Sequence, residues 1–325
     1  MKAKLIFNPA SGNPTDSAIQ LVELLRHLQT QKIETEVILV QPTHRLHLVA
    51  RNAARDGAKM VIVSGGDGTI ENVALGLVGT KTTLGIIPTG TRNNLARSLN
   101  IPTNNLAAAV ALLRKGRRLK IDVGVIRYRT SSRSFLEVGM IGLASALYSS
   151  ADDFQHGDLG KITQFISTLV AAMPSEIRLR LDHARKEIVT NAHLVLIANM
   201  PFMGANFQVA PDVVFDDRHL DVFVYSDLNK RDLIGQAMQS STSLPDARIQ
   251  RFRAKTIAIT TNPAMPVMAD GMALVVGKNP VTVALQPHRL RVMAGPANVV
   301  MTEATLAPVV ETTALTLATV VETAS

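Results

Sequence analysis

The first third of the chain alternates short apolar runs with segments in which apolar residues recur at helical spacing. The apolar runs, each of strand length, cover residues 3–8, 33–40, 60–63 and 84–87. The residues between them that fall on one face of a helix are Ala18, Leu21, Val22, Leu25 and Leu28, then Leu46, Val49, Ala50 and Ala53, then Ile70, Val73, Ala74 and Leu77. This alternation predicts an α/β domain, with a parallel sheet covered by helices on both faces.

After about residue 120 the pattern changes to short strand-like runs with few helical segments. The runs cover residues 121–128, 135–140, 177–181, 193–198, 220–225, 256–260 and 281–285. They predict a mainly antiparallel β-sandwich, interrupted by helices at 159–173 and 230–240. We therefore expect a first domain over 1–122, a second over 123–300 whose last strand can return to the first, and a flexible tail over 301–325.

The composition allows a folded core and excludes several kinds of site. Apolar residues make up 46% of the 325 residues, charged residues make up 18%, and cysteine is absent. The chain therefore has no disulfide, no thiolate metal site and no cysteine nucleophile. No uncharged apolar stretch reaches the ~20 residues that span a bilayer, and no signal peptide is recognisable. We expect a cytoplasmic protein without a transmembrane segment, and the sequence predicts no oligomeric state.

The charge of the chain suggests an anionic partner. Lys and Arg number 34 against 26 Asp and Glu, which gives a net charge of +8, with basic clusters at 114–120, 127–133, 178–186 and 248–255. A single cluster of this kind is more often part of a solvated surface than a binding site. Such clusters nevertheless suit phosphates or an acidic lipid surface. Aromatic residues make up only 4% and tryptophan is absent, so nucleic acid is not expected as a partner. A peripheral position at a membrane surface fits this charge.

The segment Gly65-Gly66-Asp67-Gly68-Thr69 lies between an apolar strand and an amphipathic helix. Glycines at such a point let backbone N–H groups approach a polyphosphate, and the start of the helix adds the positive end of its dipole. The Asp67 carboxylate suits Mg²⁺ on a nucleotide, or a base near an acceptor hydroxyl. An isolated GGDG is more often a tight turn with an aspartate N-cap, but the flanking strand and helix favour a phosphate loop.

Two further polar loops follow predicted strands. The segment 88–94, PTGTRNN, contains Gly90, Thr91 and Asn94, and the segment 8–12, NPASG, begins at Asn8. Because the carboxyl ends of parallel strands meet at one edge of a sheet, these loops and the GGDGT loop are expected to form one site. The chain has no GxxxxGK sequence, so nucleotide binding is not expected to use a P-loop.

Five segments occur in a specific order, namely NPASG, SGGDGT, GIIPTGTRNNLARSLNIP, APDVVFDDRHLDV and MADG. Over residues 3–296 this series resembles the bacterial diacylglycerol kinase and related lipid kinase family, which also includes sphingosine kinases. The first domain of that family has the same fold as NAD kinases and phosphofructokinases. The resemblance implies an ATP-dependent lipid kinase, with ATP on the first domain and the lipid site on the second. The nucleotide-binding residues that it implies are Asn8, Thr43, Gly65, Gly66, Asp67, Gly68, Thr69, Glu71, Asn72, Gly90, Thr91 and Asn94.

The resemblance also implies a structural metal site. In the family, an Asp-Gly pair between two strands of the second domain binds Mg²⁺ with nearby backbone carbonyl groups. Asp217 matches the aspartate, with Val214 and His219 nearby. Arg218 stands where the family has glycine, which is a departure from the pattern.

Further departures concern the reaction. The family usually has Asp-Gly-Glu, with the glutamate as proton acceptor, where residues 270–272 read Asp-Gly-Met. Methionine cannot accept a proton, so Asp270 or Asp67 is expected to take that role, with Asp270 preferred. Asn94 stands where family members commonly have aspartate, and residues 71–72 read Glu-Asn in place of Asn-Glu. Compared with aspartate, Asn94 keeps a carbonyl acceptor but loses the charge that would hold a metal strongly.

Three functions are compatible with these residues. The first is transfer of the γ-phosphoryl group of ATP, with Mg²⁺, to a diacylglycerol-like or sphingoid lipid at a membrane surface. The second is a nucleotide- or lipid-binding protein that has lost transfer because of Met272 and Asn94. The third is an NAD kinase-type enzyme, because that group shares GGDGT. The other four segments favour the lipid kinase.

Overall fold

The computed structural model describes residues 1–12, 14–128, 131–142, 174–203, 207–208, 212–226, 249–274 and 280–297. The described helices are α1 (Ser17–Thr30), α2 (Leu46–Arg55), α3 (Asp67–Leu77), α4 (Asn94–Ser98) and α5 (Leu106–Lys115). The described strands are β1 (Lys2–Phe7), β2 (Glu34–Leu39), β3 (Met60–Gly65), β4 (Thr83–Pro88), β5 (Arg117–Tyr128), β6 (Ser131–Phe135), β7 (Val138–Gly142), β8 (Ser175–Leu181), β9 (Ile188–Ala192), β10 (Leu194–Ala198), β11 (Phe202–Met203), β12 (Phe207–Gln208), β13 (Leu220–Tyr225), β14 (Ile249–Ala254), β15 (Thr256–Asn262), β16 (Val267–Ala269), β17 (Met272–Leu274) and β18 (Val281–Ala294).

The amino-terminal strands form a parallel sheet in the order β2-β1-β3-β4. Strand β3 is buried along its whole length, as expected of a strand that is covered on both faces. Helix α2 packs on α3, and α1 packs on α5. Because right-handed crossovers in opposite directions place their helices on opposite sides of a sheet, the two helix pairs cover the two faces. The predicted α/β sheet is confirmed.

The order of these strands marks a ligand-binding position. The chain leaves β1 for the outer strand β2, and then crosses back over β1 to form β3 on its other side. The carboxyl ends of β1 and β3 therefore flank a topological switch point, where open α/β sheets bind their ligands. The NPASG and GGDGT loops begin at these two strand ends.

The carboxyl-terminal half is mainly antiparallel, as predicted. One of its sheets has the order β14-β13-β10-β7-β16-β17. This sheet packs against β8 and β15, which extend the first sheet, and the core between them contains Ile177, Ile197, Val222 and Ile257. Two sheets that enclose one apolar core form the expected sandwich.

Strand β18 connects the two halves through backbone hydrogen bonds. Its first part pairs antiparallel with β15, and its last part pairs parallel with β4, where Arg291 faces Thr83 and Val292 faces Leu84. Along most of its length it also pairs with β5, with a shift in register between Gln286 and Leu290. The parallel sheet and one layer of the sandwich therefore form a single continuous sheet.

Some predicted features lie outside the described residues. These are the helices at 159–173 and 230–240 and the tail at 301–325. In the part of the chain that the structure describes, no helix is both long and apolar enough to span a bilayer.

The buried carboxylate of Asp122 fastens the point where β18 shifts register. Its exposed fraction is 0%, and it accepts hydrogen bonds from the backbone N–H groups of Arg218 (2.8 Å) and His288 (2.7 Å). Both of these residues have positive φ, +65° and +51°. The carboxylate therefore holds two left-handed turns against β5.

Replacing Asp122 by alanine should lower the free energy of unfolding by roughly 3 kcal/mol, because two N–H groups would lose their acceptor at about 1–3 kcal/mol each. Urea denaturation measures this change. The control is Glu34→Ala, since Glu34 is exposed on the edge strand β2, and its effect should stay within about 0.5 kcal/mol. Equal midpoints for the two variants would contradict the assigned role of Asp122.

Candidate active site

Three loops meet at the carboxyl edge of the parallel sheet. The Asn8 amide donates to the Thr69 hydroxyl (2.7 Å), which joins the NPASG loop to the GGDGT loop. The Thr89 hydroxyl donates to the Ser11 hydroxyl (3.0 Å), which joins the loop after β4 to the NPASG loop. The structure thus brings together the loops that the sequence places after three different strands.

Two glycines allow the closest approach between these loops. A Cβ atom on Gly90 would lie 2.6 Å from the Cα atom of Gly66, and one on Gly66 would lie 3.3 Å from the Cα atom of Gly90. Gly65 has a similar constraint, because its Cβ would lie 2.7 Å from the Thr69 side chain. Carbon atoms pack at about 3.5–4.0 Å, so any side chain at Gly90 would push the two loops apart.

Asp67, the first residue of α3, holds the loop after β4. Its Oδ2 atom accepts from the Asn93 N–H (2.9 Å), and its Oδ1 atom accepts from the Asn94 N–H (2.7 Å). Asn93 has a left-handed φ of +53° and closes the same loop, because its side chain accepts from the Gly90 N–H (3.1 Å) and donates to the Gly90 carbonyl (2.6 Å). Both oxygens of Asp67 therefore position the start of α4.

Asp270 approaches the same place from the turn between β16 and β17. Its carboxylate accepts from three consecutive backbone N–H groups, those of Leu136 (2.5 Å), Glu137 (2.9 Å) and Val138 (2.9 Å). Burial raises the pKa of Asp270 to about 6, although these N–H groups and Arg133 favour its charged form. Three bonds to one turn make Asp270 a fixed support for the residues between β6 and β7.

Glu71 and Glu137 complete a cluster of carboxylates with Asp67 and Asp270. Burial, followed by the charge of Asp270, raises the pKa of Glu71 to about 8, and the Arg133 guanidinium at 3.4 Å opposes this rise. Burial also raises the pKa of Glu137 well above its ordinary value, and the charges of Asp270, Asp67 and Glu71 raise it further. Groups whose pKa is shifted by burial and by like charges are typical of functional sites.

Our sequence reasoning did not identify Glu137 or Arg133. One signal was present, because Glu137 interrupts the apolar run 135–140 that is predicted as a buried strand. A carboxylate in such a run is rarely buried without a partner or a function. Arg133 lies in the basic cluster 127–133, for which the sequence indicates only an anionic partner or a solvated face.

Of the other predicted nucleotide-binding residues, some lie in or next to the loops and one lies in a different connection. Asn72 caps the turn below the GGDGT loop by donating to the Gly68 carbonyl (2.8 Å). Gly68 and Thr91 are exposed at the mouth of the site. Thr43 is exposed in the connection between β2 and α2, and no described contact joins its side chain to the three loops. A role for Thr43 remains a prediction.

Comparison with known proteins assigns this site to a family. Residues 2–126 match the family model of the diacylglycerol kinase catalytic domain, and residues 141–294 match that of the YegS C-terminal NAD kinase beta sandwich-like domain. The chain belongs to the diacylglycerol kinase family. It is therefore an enzyme of the lipid kinase class, which transfers a phosphoryl group to an alcohol.

Relatives of known sequence support this assignment over most of the chain. The diacylglycerol kinase of Mycobacterium tuberculosis is 28% identical over 277 residues, which cover 83% of this chain and 88% of that protein. That of Staphylococcus carnosus is 24% identical, with the same two coverages. The crystal structure of a diacylglycerol kinase from Bacillus anthracis, at 23% identity, covers 91% of this chain and 97% of its own with a TM-score of 0.70, which shows a common fold.

The two departures that replace a carboxylate by a neutral side chain occupy different environments. Met272, where the family usually has its glutamate, begins β17 and is 47% exposed. Asn94, where aspartate is common, is buried with 3% exposure, and its amide donates to the Glu137 carboxylate (3.3 Å). A carboxylate is thus missing at two positions of the diacylglycerol kinase pattern, and a carboxylate is present at Glu137 beside one of them.

The residues that the resemblance implies for a structural Mg²⁺ do not fit a divalent cation as they stand. One oxygen of Asp217 bonds to the Arg253 guanidinium, and the other accepts from the His219 N–H (2.9 Å). Val214 is 43% exposed. Among the described residues, no group of three or more histidines and acidic residues has the arrangement of a metal site. The cation beside Asp217 is a guanidinium, and we assign no chemistry to a metal there.

Removal of divalent metal should therefore leave the thermal stability of the nucleotide-free protein unchanged, because Arg253 already neutralises Asp217. Melting temperatures in EDTA and in excess MgCl₂ should agree within about 1 °C. The matched variant is Arg253→Met, in which the freed carboxylate should make the melting temperature rise with MgCl₂ by mass action. A large rise in the melting temperature of the wild type with MgCl₂ would instead support the structural metal site that the resemblance implies.

Proposed function

We propose that this enzyme transfers the γ-phosphoryl group of ATP, bound with Mg²⁺, to the hydroxyl group of a diacylglycerol-like or sphingoid lipid. One observation carries the proposal. The NPASG, GGDGT and PTGTRNN loops meet at the switch point of the parallel sheet, and two carboxylates of the second half, the buried Glu137 and the partly buried Asp270, reach the same place. A nucleotide on the loops would face an acceptor that enters beside these carboxylates.

The loops have the chemistry that a polyphosphate requires. The first turn of α3 presents backbone N–H groups that its own helix leaves without acceptors, together with the positive end of the helix dipole. Gly68 is exposed, and a Cβ atom there would meet nothing within 4 Å. The phosphates would therefore lie over Gly66 to Thr69, with the Thr91 hydroxyl at their side.

The charges at the site explain why the nucleotide would come with Mg²⁺. Four carboxylates, those of Asp67, Glu71, Glu137 and Asp270, lie near one another, and burial, followed by their mutual repulsion, raises the pKa of Glu71 and Glu137. A triphosphate could approach them only with its own charge neutralised, which Mg²⁺ on the phosphates supplies. Arg133, held by Glu71, adds a second cation. Catalysis would then consist mostly of positioning and charge neutralisation, as in other phosphoryl transfers.

The lipid acceptor is supported by the family and by the charge of the chain. The relatives from Mycobacterium tuberculosis and Staphylococcus carnosus are named diacylglycerol kinases. A lipid substrate requires the enzyme to work at a membrane surface, and a net charge of +8 favours an acidic one.

Transfer of radiolabelled phosphate from ATP with MgCl₂ tests the proposal. The acceptors are diacylglycerol, ceramide, sphingosine and undecaprenol in mixed vesicles, with NAD⁺ in a separate reaction. Labelled product that extracts into the organic phase is expected, and its identity gives the substrate. Labelled NADP⁺ without a labelled lipid would point to the NAD kinase-type enzyme, and ATP binding without any product would point to a binding protein.

A further inference from the structure

Glu137 is held rigidly between the two halves of the active site. Its N–H group donates to Asp270 (2.9 Å), and its carbonyl accepts from the N–H groups of Asn199 (2.9 Å) and Met200 (3.2 Å). The residue is only 8% exposed. Backbone bonds on both sides fix the place from which its carboxylate reaches the loop after β4.

The partner of this carboxylate is the residue that departs from the family pattern. The Asn94 amide donates to Glu137 Oε2 at 3.3 Å. An aspartate at position 94 would instead set two carboxylates against each other in a buried place, which is strongly unfavourable. Asparagine at 94 and glutamate at 137 therefore form a compatible pair, in which the acidic group belongs to residue 137.

A second feature of Asn94 points to a missing hydrogen-bond donor. Its Oδ1 atom is buried and has no hydrogen-bond partner in the described structure. Buried polar atoms nearly always have partners, and one without a partner costs about 1–3 kcal/mol. The hydroxyl group of an acceptor substrate is a donor of the required kind. Such a hydroxyl would lie beside both the amide oxygen of Asn94 and the carboxylate of Glu137.

Given the proposed kinase function, we propose that Glu137 is the proton acceptor for the attacking hydroxyl, in place of the glutamate that the family has at the position of Met272. The hydroxyl oxygen forms a bond to the γ-phosphorus, and the bond from that phosphorus to the β–γ bridging oxygen breaks. ADP leaves with the electron pair of the broken bond. The hydroxyl proton passes to the Glu137 carboxylate, so charge and atoms balance.

The surroundings of Glu137 suit this role better than those of Asp270. Asp270 already accepts three backbone N–H groups, so it positions Glu137 and has fewer lone pairs for a substrate. The groups that face Glu137 are Asp67 and Glu71 from α3, Asp270, and the Asn94 amide, and Arg133 lies beside Glu71. Burial, followed by the three carboxylates, raises the pKa of Glu137, and a stronger base accepts a proton more readily once it is ionised.

The test is a kinetic comparison of wild type with Glu137→Gln, which keeps the size of the side chain and removes its basicity. The turnover number should fall by about 10²- to 10⁴-fold, while KM for ATP should change by less than about threefold. In the wild type, turnover should rise with pH as Glu137 loses its proton, and the variant should lack this rise. Glu187→Gln should match the wild type, because the Glu187 side chain is 33% exposed and pairs with Arg180 in the second half.

The double variant Glu137→Gln, Met272→Glu adds a rescue. A glutamate at the family position should restore part of the turnover and its rise with pH. If Glu137→Gln does not fold, Glu137→Asp tests the role of Glu137 instead. Its shorter carboxylate should lower the turnover number and keep the rise of turnover with pH. An active wild type with unchanged turnover in these variants would overturn the role of Glu137. A wild type that phosphorylates no acceptor would instead contradict the proposed function.

Discussion

Phosphate transfer by an Asp67→Ala variant is expected to fall at least about 100-fold below the wild type. The two oxygens of Asp67 hold the N–H groups of Asn93 and Asn94 (2.9 and 2.7 Å), and these bonds set the loop after β4 against the GGDGT loop. Without them the Asn94 side chain, and Glu137 with it, would shift relative to the phosphates. A displacement of about 1 Å at a reacting group can cost about 100-fold in rate.

The measurement is kcat/KM for ATP in the radiolabel assay, together with the melting temperature. Asp67→Asn should lie between the alanine variant and the wild type, because its amide oxygen can hold one of the two N–H groups. Asp56→Ala is the matched control, since the Asp56 side chain is 60% exposed and pairs with Lys4 away from the loops. Wild-type activity in Asp67→Ala would mean that the GGDGT loop does not organise the site.

The meeting of the three loops could be predicted from the sequence because local patterns determine it. Apolar strands such as Met60–Gly65 and amphipathic helices such as Asp67–Leu77 specify a parallel sheet. In a parallel sheet all carboxyl strand ends face the same edge, so residues that follow such strands come together without further information. Asn8 and Thr69, 61 residues apart, thus form a hydrogen bond.

The carboxylate cluster could not be predicted in the same way. Glu137 lies 133 residues from Asp270 and 43 residues from Asn94, and the antiparallel strands that connect them can pair in many orders. The order β14-β13-β10-β7-β16-β17 is a property of the whole sandwich and not of any local pattern. In this order β16 pairs with β7, which places the β16–β17 turn against the β6–β7 turn.

The environment of Asp217 could not be predicted from the sequence either. The sequence motif supplies an aspartate, but the cation beside that aspartate comes from β14, where Arg253 faces Asp221 across the ladder with β13. Pairing between β13 and β14 therefore decides whether a guanidinium reaches Asp217. A motif in one strand carries no information about the neighbouring strand.

Two alanine substitutions, Gly90→Ala and Gly68→Ala, should differ in their effect on the melting temperature, but both should impair the use of ATP. Gly90→Ala places a Cβ atom 2.6 Å from the Gly66 Cα atom, so the loops must separate by about 1 Å, and kcat/KM for ATP should fall about 100-fold. The melting temperature should fall as well. Gly68→Ala places its methyl group where nothing lies within 4 Å, and alanine in a helix is favoured over glycine by about 1 kcal/mol.

The melting temperature of Gly68→Ala should therefore equal or exceed that of the wild type, while KM for ATP should rise. An extra methyl group in an occupied space costs about 1–3 kcal/mol, and under the proposed function the phosphates would occupy the open space over Gly68. Differential scanning fluorimetry and initial rates separate the two effects. An unchanged KM in a stable Gly68→Ala protein would place the phosphates away from this turn, because a methyl group can be harmless to ATP only where ATP does not lie.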